Sequence, residues 1–312
     1  MVEISTVVSS IAVMAAMIVI GALLTRTVPF TVERRQLLMA IIINVAMPCI
    51  IFHGIFQTKV DQAFLTLVLI TFVCSIILNS LGVGLGFLAA RAARMTPDKA
   101  REIALLSGLG NTGFIGIPLC AALFGPKGAL LAAIFDAGLD FTIWTLGVMI
   151  LQPHVRISLR SLRELVNIPM IAIFVGMIIA VLNLSPPPVV AHLTESLANL
   201  ASPLAMMYIG MLIPALIKKK TPAIGHISMP LVLKLCIFPI SCALLLKVVS
   251  FPVEVVQTII VQTAMPSMTL ASILFARYSA DEEYGATMTV FSTLLSIPTI
   301  PLMTAFGFYL LQ

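Results

Sequence analysis

Long apolar runs alternate along the whole sequence with short segments that contain charged residues, proline or glycine. A helix that crosses the hydrocarbon core of a bilayer needs about 20 apolar residues, and ten of the runs are close to or above that length. The pattern therefore predicts ten membrane-spanning helices, called spans 1 to 10: Ser5–Leu24, Gln36–Phe56, Ala63–Ala90, Ile103–Phe124, Gly128–Leu151, Ile168–Leu184, Leu193–Ile217, Pro230–Val248, Val253–Tyr278 and Ala286–Leu311.

The composition favours a polytopic membrane protein over a soluble one. Of the 312 residues, 60% are hydrophobic and 10% are charged, and the mean hydropathy is +1.12, whereas about 25% of the residues of soluble domains are charged. The spans and their connections use the whole chain, so we predict one all-α membrane domain over residues 1–312. The five cysteines form no CxxC pair, and neither a metal site nor a cofactor is predicted.

The basic residues predict the orientation of the spans. Most Lys and Arg residues lie in the connections after odd-numbered spans, whereas Lys59 and Lys127 lie in those after even-numbered spans. Because basic residues favour the cytoplasmic side, we predict that both termini are on the extracytoplasmic side of the cytoplasmic (inner) membrane. The net charge of +5 comes from scattered residues that form no basic patch, so a nucleic-acid partner is not predicted.

The two halves of the chain resemble each other weakly. A shift of 151 residues places Gly110–Gly116 over Val261–Ser267. Five spans in each half would give the halves opposite orientations, with repeat one at residues 1–151 and repeat two at residues 165–312. Inverted repeats of this kind are typical of secondary transporters.

Span 4 contains a group of helix-breaking residues. Gly110, Gly113, Gly116 and Pro118 fall within nine residues, and in a helix interior each glycine costs about 1 kcal/mol and each proline about 3 kcal/mol. Unwound backbone inside a membrane is tolerated where it is buried in protein or lines a cavity, and the half-helix ends beside it attract ions. The alternative is that the glycines form a close-packing helix face.

Polar side chains accompany this break and a second one in span 9. Asn111 and Thr112 lie in span 4, and Gln262 and Thr263 precede Pro266 near the middle of span 9. Two breaks at similar depth in repeat-related spans predict a shared substrate site. The predicted substrate-binding residues are Asn111, Thr112, Gly113, Pro118, Gln262, Thr263, Pro266 and Asn44.

Two acids lie far from any connection. Asp136 and Asp140 are four residues apart on span 5, so they share a helix face. Ionisable residues at such depth are expensive and typical of functional sites, and we predict that this pair binds a coupling ion, H⁺ or Na⁺. The alternative is that both carboxyl groups serve the structure by hydrogen-bonding to neighbouring helices.

Three further polar residues lie within the spans. Lys234 falls in the first turns of span 8, and its side chain is expected to extend to the cytoplasmic surface. Asn44 and Tyr208, on spans 2 and 7, are deep enough to face a substrate, and a buried hydrogen-bonding role is the alternative for both.

Short motifs in spans 2, 4 and 9 resemble those of the auxin efflux carrier family. They are Ala46–Pro48, Asn111-Thr112 with Gly116–Leu119 and Leu123–Gly125, and Ala264–Pro266 with Leu274–Tyr278. The resemblance covers essentially the whole membrane part. The connection at Gln152–Val166 is far shorter than the central loop of many plant members, so the chain is similar to the compact bacterial members, some of which are described as carriers of malonate or other organic acids.

The resemblance implies a ten-helix fold in which broken helices 4 and 9 cross. It also implies a scaffold of spans 1, 2, 6 and 7 that forms a homodimer, and a transport unit of spans 3, 4, 5, 8, 9 and 10 that moves by an elevator-like step. An anionic substrate would be held beside the crossing, where the matching positions are Asn111, Pro118 and Pro266. Ala271 stands where the plant motif usually has a second proline, which leaves the shape of the second break open.

We therefore expect a secondary active transporter that carries a small organic anion, such as a mono- or dicarboxylate, across the cytoplasmic membrane. The alternative is a cation/proton antiporter of the same crossed-helix class that uses Asp136 and Asp140. An enzyme is not predicted, because the sequence has no HExxH, GxSxG or P-loop motif.

Overall fold

The computed structural model describes residues 4–58, 61–152, 166–182, 184–217 and 225–311, and the regular elements in these ranges are helices. The all-helical prediction is therefore confirmed for this part of the chain. Lys59 and the predicted basic connections around Arg156–Arg163 and Lys218–Lys220 lie outside the described residues. The α-helices are α1 Ile4–Leu24, α2 Val32–Ile41, α3 Met47–Gln57, α4 Gln62–Ala92, α5 Pro97–Gly108, α6 Ile117–Thr142, α7 Val148–Leu151, α8 Ile168–Val181, α9 Pro188–Ile217, α10 Gly225–Val232, α11 Phe238–Val248, α12 Val253–Thr263, α13 Ala271–Arg277 and α14 Glu282–Leu310.

Four wider π-helical turns interrupt or extend these helices. They are Ile42–Ala46, Thr112–Gly116, Ile143–Gly147 and Leu233–Ile237. Turns of this type occur frequently at functional sites. Three of the four contain a polar residue that the sequence singles out, namely Asn44, Thr112 or Lys234.

Several helices begin at residues that cap them. Thr96 accepts a hydrogen bond from the backbone N–H of Lys99 at the start of α5, and Asp281 accepts one from Tyr284 at the start of α14. These side chains satisfy backbone donors that have no partner within the helix. Pro97 occupies the first turn of α5, where its fixed φ suits a helix and its missing N–H costs little.

Five described helical stretches are long and apolar enough to cross a membrane. They are Gln36–Gln57, Gln62–Ala92, Thr112–Leu151, Ile227–Val248 and Glu282–Leu310. Shorter apolar helices cover Ala15–Leu24, Ile168–Val181 and Val253–Thr263. These helices fit an integral membrane protein, while ten spans arranged as inverted repeats stay a prediction.

The predicted connection between spans 4 and 5 corresponds to a sharp kink at Gly125. Helix α6 is bounded by Ile117 and Thr142, but the backbone of Gly125 is not helical, with φ 68° and ψ −161°, so two helical segments meet there. This left-handed backbone is open to glycine because it has no Cβ. Pro126 follows at the point where the helix resumes, so the chain bends sharply there without a separate loop.

The described residues divide into two compact units. Unit one takes its residues from Met1–Leu69, Gly113–Ile134 and Asn167–Lys220, and unit two from Ile70–Thr112, Phe135–Val166 and Thr221–Gln312. The assignment of spans to a scaffold and a transport unit stays a prediction.

Unit one is held together by close helix packing. Helix α1 lies against α9, and α3 lies against both α8 and α9. A Cβ added to Gly21 would lie 2.1 Å from the carbonyl oxygen of Met207, and one added to Gly210 would lie 1.9 Å from that of Ile18. Glycine is required at both positions because the backbones of α1 and α9 touch there.

Unit two has an apolar core with polar groups inside it. The core is built from α4, α5, α10, α13 and α14 and the segments between them, with Ile103, Leu105, Phe275 and Met288 among its buried residues. Glu102, Asn111, Lys234 and Gln262 are the larger of its buried polar side chains. The candidate site lies among them.

Candidate functional site

The two broken helices of unit two are hydrogen-bonded to each other at their unwound segments. Helix α5 ends at Gly108 and α12 ends at Thr263. The backbone N–H of Asn111 donates to the carbonyl of Pro266 at 2.8 Å, and that of Met268 donates to the carbonyl of Leu109 at 3.2 Å. We call residues 109–111 and 264–268 the paired segments; they satisfy each other's backbone groups where the helices cannot.

Hydroxyl groups from the surrounding helices stabilise the second paired segment. The hydroxyl of Ser267 donates to the carbonyl of Leu106 in the last turn of α5, at 2.9 Å. Ser292 accepts the backbone N–H of Ser267 at 3.1 Å, and Thr289 donates to the carbonyl of Met268 at 2.9 Å. These α14 residues were not among the predicted ones, although Thr289, Ser292, Thr293 and Ser296 share one helix face, a pattern visible in the sequence.

Thr112 joins the first paired segment to the acidic residues of α6. Its hydroxyl donates to Oδ1 of Asp136 at 2.5 Å. Asp140 lies one turn further along the same helix, and both aspartates are half-buried. The structure therefore places one of the two predicted ion-binding carboxylates directly beside the predicted substrate residues.

Helix α4 holds this part of α6 in place. The hydroxyl of Ser75 donates to the carbonyl of Phe135 at 2.5 Å, and the amide of Asn79 donates to Oγ of Ser75 at 3.0 Å. These contacts fix the backbone immediately before Asp136. Neither α4 residue was predicted, because hydropathy alone does not reveal which polar side chain will face another helix.

The polar residues at the end of α12 are completely enclosed. Gln262 is 0% exposed and Thr263 is 1% exposed. The hydroxyl of Thr263 donates to the carbonyl of Ile259 in the same helix at 2.8 Å. The hydroxyl proton of Thr263 is therefore already donated within the helix, so its oxygen can interact with a ligand only as a hydrogen-bond acceptor.

Lys234 does not extend to a surface, so that expectation is wrong. Its side chain is 1% exposed, and Nζ lies 4.4 Å from the centre of the Phe238 ring. A Cβ added to Gly110 would lie 3.1 Å from this Nζ, so the ammonium group occupies the space beside the glycine. The described helix begins at Gly225 and not at Pro230, which places Lys234 deeper than the predicted span did.

A family model described as membrane transport protein matches residues 6–160 and 154–304. The chain belongs to this family. The resemblance to auxin efflux carriers that the motifs indicated is thereby confirmed.

Two relatives of this membrane transport protein come from archaea. An uncharacterized transporter of Methanothermobacter thermautotrophicus is 25% identical over 271 residues, which cover 86% of this chain and 88% of the relative. An uncharacterized transporter of Methanocaldococcus jannaschii is 31% identical over 121 residues, 38% of each chain. The family description and both names point to a membrane transporter and not to an enzyme.

Three of the predicted substrate residues of this transporter belong to unit one. Gly113 lies in the π-helical turn Thr112–Gly116, and Pro118 is buried in the first turn of α6. Asn44 has an exposed side chain. Tyr208, in contrast, is buried. Its ring makes T-shaped contacts with the rings of Phe30 and Phe114, at centroid distances of 5.8 and 5.0 Å.

An ionic cluster ties the start of α5 to the start of α14 within unit two. Lys99 Nζ lies 2.8 Å from Glu102 and 3.1 Å from Asp281, and 3.3 Å from the centre of the Tyr284 ring. Burial raises the pKa of Asp281, but hydrogen bonds from the Tyr284 backbone and from Lys99 outweigh it, so the pKa lies below its ordinary value. The cluster fixes the helix that leads into the first paired segment and the helix that supports the second.

The described residues include no group of three or more His, Cys, Asp or Glu side chains that could hold a metal ion. The chemistry of the site is thus that of amide, hydroxyl, carboxyl and ammonium groups around unwound backbone.

Proposed function

We propose that the chain is a secondary active transporter of a small organic anion, such as a mono- or dicarboxylate, and that the paired segments form its substrate site. The observation that carries the proposal is the pairing itself. Helices α5 and α12 stop among buried residues, and their unwound backbones bond to each other through Asn111 and Pro266. Such backbone is expensive in a membrane unless it serves a cavity or a buried site, and transporters place substrates at such breaks.

Asn111 is the proposed substrate ligand. Its backbone N–H bonds to Pro266, while its carboxamide has no hydrogen-bond partner among the described residues. Asn111 is only 5% exposed, so its carboxamide is also shielded from water. A buried amide without a partner is costly, and a substrate carboxylate would satisfy its N–H donors.

The proposed mechanism is an elevator-like movement of a transport unit made of spans 3, 4, 5, 8, 9 and 10. What supports it is that most of these spans, with Asn111, Thr112, Gln262, Pro266 and Asp136, fall in unit two, whereas residues 113–134 of spans 4 and 5 fall in unit one. Helices α1, α3, α8 and α9, which correspond to spans 1, 2, 6 and 7, fall in unit one. We propose that these helices form the scaffold and the homodimer contact, with both termini on the extracytoplasmic side of the cytoplasmic membrane.

The alternative function is a cation/proton antiporter that uses Asp136 and Asp140. The hydrogen bond from Thr112 to Asp136 favours it, because it places a carboxylate beside the unwound backbone. In the organic-anion transporter, the same pair would bind the coupling ion, H⁺ or Na⁺. A carboxylate that binds to the purified protein distinguishes the two functions.

The test is a thermal-shift screen of the purified protein against mono- and dicarboxylates, with and without Na⁺ and at two pH values. Asn111→Ala should weaken the binding of the best carboxylate by about 1–3 kcal/mol, the effect of one hydrogen bond to a charged group. Gln57→Ala, which removes an exposed amide at the end of α3, is the control and should bind as the parent does. Unchanged affinity in Asn111→Ala would remove Asn111 from the site, and no stabilisation by any carboxylate would contradict the proposed function.

A further inference from the structure

The side chain of Lys234 is a buried amine that has no carboxylate beside it among the described residues. The side chain is 1% exposed and lies in the π-helical turn Leu233–Ile237. In the part of the chain that the structure describes, no carboxylate forms an ion pair with Nζ and no hydrogen bond reaches it. Nζ lies over the face of the Phe238 ring at 4.4 Å, and the buried thiol of Cys242 is close enough to interact with it electrostatically.

A charge in this position is costly without an anion. Transfer of an ammonium group from water to an apolar interior is far more unfavourable than a cation–π contact is favourable. An apolar side chain would fill the same space without that cost. Ionisable residues that face the interior of a membrane protein are typical of substrate and ion pathways, so the missing partner is expected to be a ligand.

The position of the ammonium group identifies where that ligand binds. A Cβ on Gly110 would lie 3.1 Å from Nζ of Lys234 and 3.5 Å from the carbonyl oxygen of Pro266. Nζ and the carbonyl oxygen of Pro266 therefore both border the space beside Gly110. Gly110 directly precedes Asn111, so the ammonium group and the proposed ligand amide flank the same stretch of unwound backbone.

We propose that Lys234 supplies the fixed positive charge of the substrate site and pairs with a carboxylate of the transported anion. This inference rests on the proposed function and deepens it, because it specifies the ligand class. The ligand carries at least one carboxylate small enough to reach a buried ammonium group. A neutral amide of the same shape lacks the attraction, and the site should reject it.

A purely structural role makes a different prediction. The carbonyl ends of α5 and α12 carry partial negative charge, and Lys234 could stabilise the fold by neutralising them. Loss of the charge would then lower the stability of the ligand-free protein and weaken charged and neutral ligands alike. If Lys234 instead pairs with the substrate, removing its charge should lower the affinity for a charged ligand more than for a neutral one.

The experiment compares the parent with Lys234→Met, which keeps the length of the side chain without its charge, and with Lys234→Arg. Lys247→Met removes an exposed lysine from the same helical stretch and is the matched control. Binding of malonate and of the neutral malonamide is measured by thermal shift and calorimetry. We expect Lys234→Met to bind malonate about 10- to 100-fold more weakly, the effect of one charge-assisted hydrogen bond, with Lys247→Met unchanged and Lys234→Arg intermediate.

The outcomes separate the inference from the proposed function. If the parent and Lys234→Met bind malonate equally well, the inference is wrong while the proposed function stands. The same holds if Lys234→Met loses affinity for malonate and for malonamide to the same extent. If neither malonate nor any other carboxylate in the screen stabilises the parent, both are wrong. If Lys234→Met does not fold, Gly110→Ala decides: its Cβ would displace the ammonium group, and malonate binding should weaken. A folded Gly110→Ala protein with parental affinity would contradict the inference.

Discussion

The two units of the molecule bury different kinds of side chain. Of the buried polar or charged residues in the described ranges, Thr194 and Tyr208 belong to unit one and the others to unit two. Thr194 donates to the carbonyl of Val190 in its own helix at 3.0 Å, and the ring of Tyr208 packs against Phe30 and Phe114. Unit one packs its helices through Gly21 and Gly210 instead. In a membrane, small residues allow close and permanent packing, whereas buried polar groups are retained for a function.

From this difference we expect the two units to have separate tasks. The paired segments, the acidic helix α6 around Asp136 and the buried Lys234 concentrate the chemistry in unit two. Unit one offers helices whose backbones are in direct contact. Substitutions in unit two should therefore change ligand or ion binding, and substitutions at the glycines of unit one should change stability.

The largest effect is expected from the acidic residues of unit two. Asp136→Asn keeps an acceptor for the Thr112 hydroxyl but removes the charge that would bind a coupling ion. It should abolish accumulation of the anion driven by an H⁺ or Na⁺ gradient in proteoliposomes, while exchange of labelled for unlabelled anion persists. Asp140→Asn should behave alike, and Asp98→Asn, at an exposed acid of α5, should transport as the parent does. Accumulation at the parental level in both variants would show that the pair serves the structure.

A smaller effect, on stability alone, is expected at the helix contact of unit one. Gly210→Ala would place a Cβ 1.9 Å from the carbonyl oxygen of Ile18, and overpacking of this kind costs about 1–3 kcal/mol. The melting temperature in detergent should fall, while malonate affinity of the folded protein is unchanged. Gly84→Ala is the control, since its Cβ would meet no atom within 4 Å. A Gly210→Ala protein as stable as the control would contradict the close packing of α1 and α9.

The smallest effect is expected from the ionic cluster at the start of α14. The pKa of Asp281 is lowered in the folded state, so its charge contributes stability above the ordinary value of 3.8, and this contribution is lost as the pH falls through the lowered pKa. Because the Asp281 side chain is 49% exposed, the contribution should not exceed about 1 kcal/mol. Asp281→Asn keeps a good helix cap. It should melt below the parent at pH 7 and approach it near pH 3.

The control for this prediction is Asp61→Asn, which changes the aspartate that caps α4 in unit one. Because asparagine also caps helices well, this variant should melt close to the parent at pH 7. Equal melting temperatures of Asp281→Asn and the parent at pH 7 would show that the cluster contributes no measurable stability.

The sequence was a good guide to helices and to their interruptions. Apolar runs gave the all-helical fold, and glycine with proline marked the breaks near Gly110 and Pro266, because these residues act on the backbone locally. The breaks were placed correctly for the same reason. The connection expected between spans 4 and 5 corresponds to the kink at Gly125, because glycine and proline also end helices.

The partners of each polar side chain were not predictable in the same way. The support of Ser267 by Ser292 and the bond between Thr112 and Asp136 join residues about 25 positions apart, and hydropathy carries no information on such pairs. Lys234 was misplaced because Pro230 was taken as the start of its helix, whereas the described helix includes Pro230 within α10.

The paired segments also constrain how the protein is made. The carbonyl of Leu109 and the N–H of Asn111 have partners, Met268 and Pro266, that are synthesised roughly 155 residues later. Until then, these groups face an apolar surrounding that offers no hydrogen bonds. The first break can therefore reach its final form only after the second has entered the membrane, and a nascent chain released before α12 would expose an incomplete segment to cellular quality control.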